Sequence, residues 1–212
     1  MSKPPRCIFF DLDNTLYPRS SGLMQAIGDR INLYMIERLE IEPNDVSKTR
    51  DHFLKTFGTT LNALRRFYDV DPDEYLDFVH DIPLSRHLQY DPALDQMLER
   101  MAARKVIFTN ADAKHARRVL THLGILRHFE SIIDIHLIDF CNKPDRRAYR
   151  TALDFASARP EECVLVEDSL VNVIPARECG MTTVMVGEGL HSHGAHHHIS
   201  RITDLEGLLD RL

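Results

Sequence analysis

The chain has 212 residues, 43% of them hydrophobic, and a formal net charge of -6; this is enough apolar material to bury a core unaided, in one domain that carries a sizeable insertion. The acidic balance, with basic residues scattered rather than gathered in a patch, argues against nucleic-acid polymers as partners, although a cation can still bring a small phosphate to an acidic site. Apolar runs such as Cys7 to Phe10 and Cys163 to Val166 are far too short for a bilayer, and Met1-Ser2-Lys3-Pro4-Pro5 lacks the apolar region of a signal peptide, so the expectation is a soluble, cytoplasmic protein with no membrane partner.

The first predicted element is the run Cys7 to Phe10, which ends at Asp11 and Asp13 as a buried parallel strand ends at a functional loop. Alternation along an extended segment sends both carboxylates in related directions while Leu12 turns into the core. From about Ser21 to Tyr90 the apolar residues Met24, Ile27, Ile31, Tyr34, Met35, Phe53, Leu61, Leu64 and Phe67 follow helical spacing with no strand between them. This predicts a helical cap over residues 18–90, inserted after the first strand of a core formed by 1–17 and 91–212. The alternative is a structural subdomain that never meets substrate. Within it, Thr59 and Thr60 follow Gly58, where two hydroxyls could face a leaving group or simply cap the helix that begins near Leu61.

Beyond the insertion, helices and strands alternate. A helix over Pro92 to Ala103 starts behind Asp91 as N-cap, and the strand Lys105 to Phe108 ends at Thr109 and Asn110. A helix from Lys114 to Leu123 stops at Gly124, and a strand follows over Ile132 to Ile135. Lys143 stands before Pro144 at the mouth of a helix running to Ala156, where the dipole favours an anion. The strand Cys163 to Val166 ends at Glu167, Asp168 and Ser169, and a last strand covers Thr183 to Val186. Five histidines between His191 and His198 read as a solvated loop rather than a metal site, because no cysteine or carboxylate spacing completes them. Cys7, Cys141, Cys163 and Cys179 are irregularly spaced and read as reduced and structural.

This alternation implies an α/β fold with a doubly wound parallel sheet. Open parallel sheets bind ligands beyond the carboxyl ends of their strands. One basic, three hydroxyl or amide and four acidic side chains therefore converge on one edge, as a site for magnesium and phosphate requires. Singly, each has a bland reading: an aspartate after a strand is often a cap or turn residue, and a lysine before proline is usually solvated.

Taken in order, Asp11-Leu12-Asp13-Asn14-Thr15, Thr109-Asn110, Lys143-Pro144 and Glu167-Asp168-Ser169 resemble the four sequential motifs of the haloacid dehalogenase superfamily. Phe9 to Pro18, Gly58-Thr59-Thr60-Leu61, Asp73-Glu74-Tyr75-Leu76 and Ile107-Phe108-Thr109-Asn110-Ala111-Asp112 are similar to its pyrimidine 5'-nucleotidase-like branch. The resemblance implies a Rossmann-like core with an all-helical cap, Asp11 as nucleophile and Asp13 as general acid/base. It also implies that Thr109 and Lys143 bind the phosphoryl group and that Asn110 orients the nucleophile or phosphate. Mg2+ would be held by the Asp11 and Asp168 carboxylates and the Asp13 carbonyl, with Glu167 in support. Asn14 stands where many relatives have glycine, a position asparagine tolerates.

The implied activity is hydrolysis of a small phosphorylated metabolite, pyrimidine nucleoside 5'-monophosphates first among them. A phosphotransferase or sugar-phosphate mutase would use the same aspartyl-phosphate. A dehalogenase would need neither metal nor acid, and a non-catalytic phosphate-binding protein would be expected to lack a core group.

Overall fold

The computed structural model describes residues 4–187 and 194–211. Strand β1 (Cys7–Phe10) leads into the helices α1 (Leu23–Leu39), α2 (Val46–Phe57), α3 (Thr60–Tyr68) and α4 (Pro72–His80). The chain continues through α5 (Pro92–Arg100), β2 (Arg104–Phe108), α6 (Ala113–His122), β3 (Ser131–Ile133) and α7 (Arg146–Phe155). It closes with β4 (Cys163–Glu167), α8 (Leu170–Glu178), β5 (Thr182–Val186), β6 (His197–Ile199) and α9 (Leu205–Leu209). Two compact units result, one formed by Met1–Pro18 with Leu88–Leu212 and the other by Arg19–His87.

The core unit holds a six-stranded sheet in the order β3-β2-β1-β4-β5-β6, with every pairing parallel. All four residues of β1 and all five of β4 are buried, as expected of central strands covered on both faces. The strand order reverses at β1, which pairs with β2 on one side and β4 on the other. The crevice at such a reversal is where doubly wound folds bind ligands. The rings of Phe9 and Phe108 meet edge to face at 6.3 Å, and Phe108 meets Tyr149 at 5.5 Å, packing α7 beneath the site.

The helical unit is built around Tyr34 on α1, whose ring packs edge-on against Tyr75 at 5.0 Å and Phe78 at 5.2 Å on α4. Arg30 stacks 4.0 Å from the Phe78 ring centre and donates to the Phe78 carbonyl. Gly28 gives room to Arg50, which donates to its carbonyl at 2.6 Å; an added Cβ would lie 3.0 Å from that guanidinium. Phe53 and Phe57 on α2 enclose Phe67 on α3.

Several element limits differ from the sequence expectations. The third strand ends at Ile133 because the Asp134 carboxylate accepts from the N–H groups of Ala113 and Leu137, each at 2.9 Å, and so leaves the ladder. Helix α7 begins at Arg146, not Pro144, since Asp145 is its N-cap and accepts from Arg147 N. Helix α5 ends at Arg100, three residues short of Ala103. The stretch read as a loop, His191 to His198, runs into β6, an edge strand of three residues in which only Ile199 is buried. Of that histidine cluster, His191 and His193 lie outside the described residues. His196 Nδ1 accepts from Thr183 N at 3.1 Å, and the His198 ring contacts the Gly187 carbonyl at 2.7 Å, so both pack along the sheet. Among the described residues no helix is long and apolar enough to cross a membrane.

Candidate active site

Strand pairing continues one residue past β1, because Asp11 N donates to the Val166 carbonyl at 2.9 Å. The chain then turns, with Leu16 N donating to Leu12 O at 3.0 Å and Asn14 in the left-handed region at φ 61°. Asparagine is among the few side chains that tolerate this conformation, so the loop closes without glycine. Leu12 is fully buried and anchors the turn, leaving Asp11 and Asp13 at the carboxyl edge of the sheet.

Lys143 is the hub of the site. Its ammonium, only 1% exposed, donates to Asp11 Oδ1, Glu167 Oε2 and the Phe108 carbonyl, each at 2.8 Å. An ammonium has three N–H bonds, so these acceptors occupy all of them. Its main chain is gripped by the Asn110 carboxamide, which donates to Lys143 O at 3.0 Å and accepts from Lys143 N at 2.8 Å. Asn110 thus orients the lysine, with both polar atoms of its side chain on the Lys143 main chain.

Thr15 donates to Asp11 Oδ2 at 3.0 Å, so each oxygen of the Asp11 carboxylate has a donor. The second oxygen of Glu167 accepts from the N–H groups of Asp168 and Ser169, at 3.2 and 3.1 Å, which makes this side chain a strut between Lys143 and the start of α8. Thr109 is buried where β2 ends and accepts from Ala111 N at 3.0 Å, which leaves its hydroxyl proton for another acceptor.

Negative charge dominates here. Burial, opposed by the Lys143 charge and reinforced by Asp13, pushes Asp11 up to about 6. Burial and then the Asp11 charge push Glu167 up to about 8. Burial works against the Lys143 charge, but Asp11 and Glu167 outweigh it and hold its pKa above the ordinary value. Three buried carboxylates, Asp11, Glu167 and Asp168, thus gather around the Lys143 ammonium. Oxygens of the buried Asp11, Glu167 and Asp168 lie within 4.8 Å of one another, an all-oxygen donor set that fits a hard divalent cation better than zinc or copper.

Three partners escaped the sequence reading. Thr15 and Tyr17 each reach a carboxylate four residues earlier, and Tyr17 OH donates to Asp13 Oδ1 at 2.5 Å. Burial and then the Asp13 charge push the Tyr17 phenol far above its ordinary pKa, keeping it a donor. His115, 1% exposed, brings Nε2 within 3.5 Å of the same Asp13 oxygen. A signal for it was present: His115 lies on the buried stripe of α6 with Ala116, Val119 and Leu120, where a polar side chain needs a polar neighbour. In the helical unit, Thr59 is the N-cap of α3 and accepts from Asn62 N at 3.2 Å, the capping alternative of its two readings; Thr60 is buried.

Residues 5–180, which carry the strand-ending aspartate pair, the buried lysine and the acidic pair at the switch point, match the family of haloacid dehalogenase-like hydrolases, to which the chain belongs. Among individual proteins, it is similar to phosphate metabolism protein 8 of Saccharomyces cerevisiae, at 25% identity over 85% of this chain and 61% of that protein. It is also similar to a 5'-nucleotidase of Pseudomonas aeruginosa, at 22% identity over 96% of this chain and 95% of that one. The solved phosphatase of this family from Thermococcus onnurineus shares the fold, with a TM-score of 0.64 at 22% identity over 96% of this chain and 97% of its own.

Proposed function

We propose that this chain is a Mg2+-dependent phosphomonoester hydrolase that works through an aspartyl-phosphate on Asp11 and acts on small phosphorylated metabolites, pyrimidine nucleoside 5'-monophosphates foremost. The observation that carries the reading is the Asp11 carboxylate at the switch point, held by Lys143 at 2.8 Å and Thr15 at 3.0 Å, with Asp13 two residues away. The similarity to a 5'-nucleotidase supports the substrate class.

The Asp11 and Asp168 carboxylates and the Asp13 carbonyl would hold Mg2+, which supplies positive charge to the phosphoryl oxygens and keeps Asp11 ionised. An Asp11 oxygen attacks phosphorus, the ester P–O bond breaks, and Asp13 gives its proton to the departing alcohol. Water then attacks the phosphoryl group, Asp13 takes its proton, and the P–O bond to Asp11 breaks to release inorganic phosphate. Lys143 offsets the repulsion between the carboxylate and the phosphate anion, and Thr109 donates its hydroxyl proton to a phosphoryl oxygen. The helical unit acts as the cap that selects the leaving group.

The test is phosphate release from a panel of nucleoside 5'-monophosphates and sugar phosphates, with Mg2+ and with chelator. Release that depends on Mg2+ and favours pyrimidine nucleotides is expected. Conversion of a sugar phosphate into its isomer with no free phosphate would make the chain a mutase instead.

A further inference from the structure

Two side chains to which the sequence assigned no role meet Asp13. Tyr17 OH donates to Asp13 Oδ1 at 2.5 Å, and His115 Nε2 lies 3.5 Å from that same oxygen. The two come from different parts of the core unit. Tyr17 closes the turn that follows β1, and His115 sits in the first turn of α6, after the second strand. Both are buried, at 3% and 1% exposure, so neither has room to swing away.

The helix that carries His115 is itself fixed at its start. Asp112 accepts from the N–H groups of Lys114 and His115 at 3.0 and 3.1 Å, and Asp134 accepts from Ala113 N at 2.9 Å. Rotation about the Asp13 Cβ–Cγ bond would break the Tyr17 hydrogen bond and carry that oxygen away from the imidazole beside it. General acid catalysis is sensitive to that freedom, because the proton must lie in line with the departing oxygen when the ester bond breaks.

We infer that Tyr17 and His115 are positioning residues that hold the Asp13 carboxyl in the orientation from which it protonates the leaving alcohol. The inference rests on the proposed role of Asp13. It requires that losing either residue should harm substrates in proportion to how much their leaving group needs a proton. An alkyl or nucleoside 5'-phosphate departs as a strongly basic alkoxide and needs one. p-Nitrophenyl phosphate departs as a stabilised phenolate and does not.

The experiment compares kcat/KM for uridine 5'-monophosphate and p-nitrophenyl phosphate in the wild-type protein and in Tyr17→Phe, His115→Gln and Asp13→Asn, each checked by thermal melting. This parameter reports only steps up to leaving-group departure, so the later attack by water does not enter. Tyr17→Phe and His115→Gln are each expected to lower the uridine 5'-monophosphate value about tenfold more than the p-nitrophenyl phosphate value, and Asp13→Asn by about 100-fold more. Adding Tyr17→Phe to Asp13→Asn should widen that ratio no further. Equal losses on both esters in Tyr17→Phe and His115→Gln, with Asp13→Asn still discriminating, would overturn the inference and leave the proposed function standing. If Asp13→Asn fails to discriminate as well, the acid role of Asp13 falls and the inference falls with it. Should one variant not fold, the other decides by the same ratio.

Discussion

Around Asp11 and Glu167, buried carboxylates outnumber the single Lys143 ammonium and their pKa values are pushed up, to about 6 and about 8. Around Asp95, in the same core unit, the donors outnumber the carboxylate. Tyr90 OH donates to it at 2.8 Å and Arg127 at 2.6 and 2.7 Å, while His128 Nε2 lies 2.6 Å away. These hydrogen bonds, His128 first, then Arg127 and Tyr90, hold Asp95 well below the usual carboxylate range. The contrast separates two uses of charge. Asp95 is a finished joint that ties α5 to the turn at Leu126–His128. The Asp11 cluster gathers three buried carboxylates whose oxygens lie within 4.8 Å of one another, a set that would suit a divalent cation.

Replacing Asp11, the proposed nucleophile, should break the comparison most sharply. Asp11→Asn is expected to lower phosphate release by about 10^4-fold or more. Thermal melting should show no loss of stability, because one of several crowded carboxylates becomes neutral.

Removing the hub should have the next largest effect. Lys143→Met leaves Asp11 and Glu167 buried without their cation, at a cost of about 3–5 kcal/mol in urea unfolding with chelator present. Groups whose folded pKa is raised contribute stability that is present below the unfolded pKa and lost as pH rises through the folded value. The deficit of Lys143→Met should therefore be small near pH 4 and should grow as pH rises past about 6 and about 8, where Asp11 and Glu167 ionise in the wild type with help from Lys143 that the variant lacks. A deficit independent of pH would deny that buried negative charge is its cause.

Cation binding sharpens the comparison from the other side. At a Mg2+ concentration of about 100 times its dissociation constant, the wild-type protein should gain about 2.7 kcal/mol, visible as a rise in melting temperature. Asp168→Asn should lose most of that gain while melting normally in chelator. An equal rise in the variant would remove Asp168 from the metal site.

The smallest effect is expected at the finished joint. Asp95→Asn should destabilise the protein at neutral pH with no change in kcat. A carboxylate with a depressed folded pKa contributes stability that is present above its unfolded pKa, about 3.9, and lost as pH falls through the folded value. The difference between Asp95→Asn and wild type should thus shrink below about pH 4. If kcat falls in a variant that melts normally at the assay temperature, Asp95 belongs to the chemistry after all.

The residues that sequence reasoning reached and those it missed differ in how they come to the site. Asp11, Thr109 and Glu167 follow or close apolar runs, and a parallel sheet delivers every strand end to one edge, so their convergence was legible from the pattern alone. The helical insertion was legible for the same kind of reason, in its 3.6-residue apolar period. Thr15, Tyr17 and His115 were not, because their roles depend on the irregular turn after β1 and on the rotation of α6 against it. Asn110 was assigned to phosphate or nucleophile, whereas its carboxamide grips both sides of the Lys143 main chain. Only the fold reveals that pairing, since the two residues stand 33 positions apart. Strand β6 escaped because His197-His198-Ile199 offers one buried side chain and no alternation.

The most direct measurement is whether Asp11 carries phosphate during turnover. Asp13→Asn protein would be mixed with p-nitrophenyl phosphate and Mg2+, a substrate whose first step needs no acid, then quenched in acid and mapped by peptide mass spectrometry. The expected result is a phosphorylated peptide whose modification lies on Asp11, accumulating because the second step lacks its base. Release of p-nitrophenol with the Asp11 peptide unmodified, or with phosphate on another residue, would contradict Asp11 as the nucleophile.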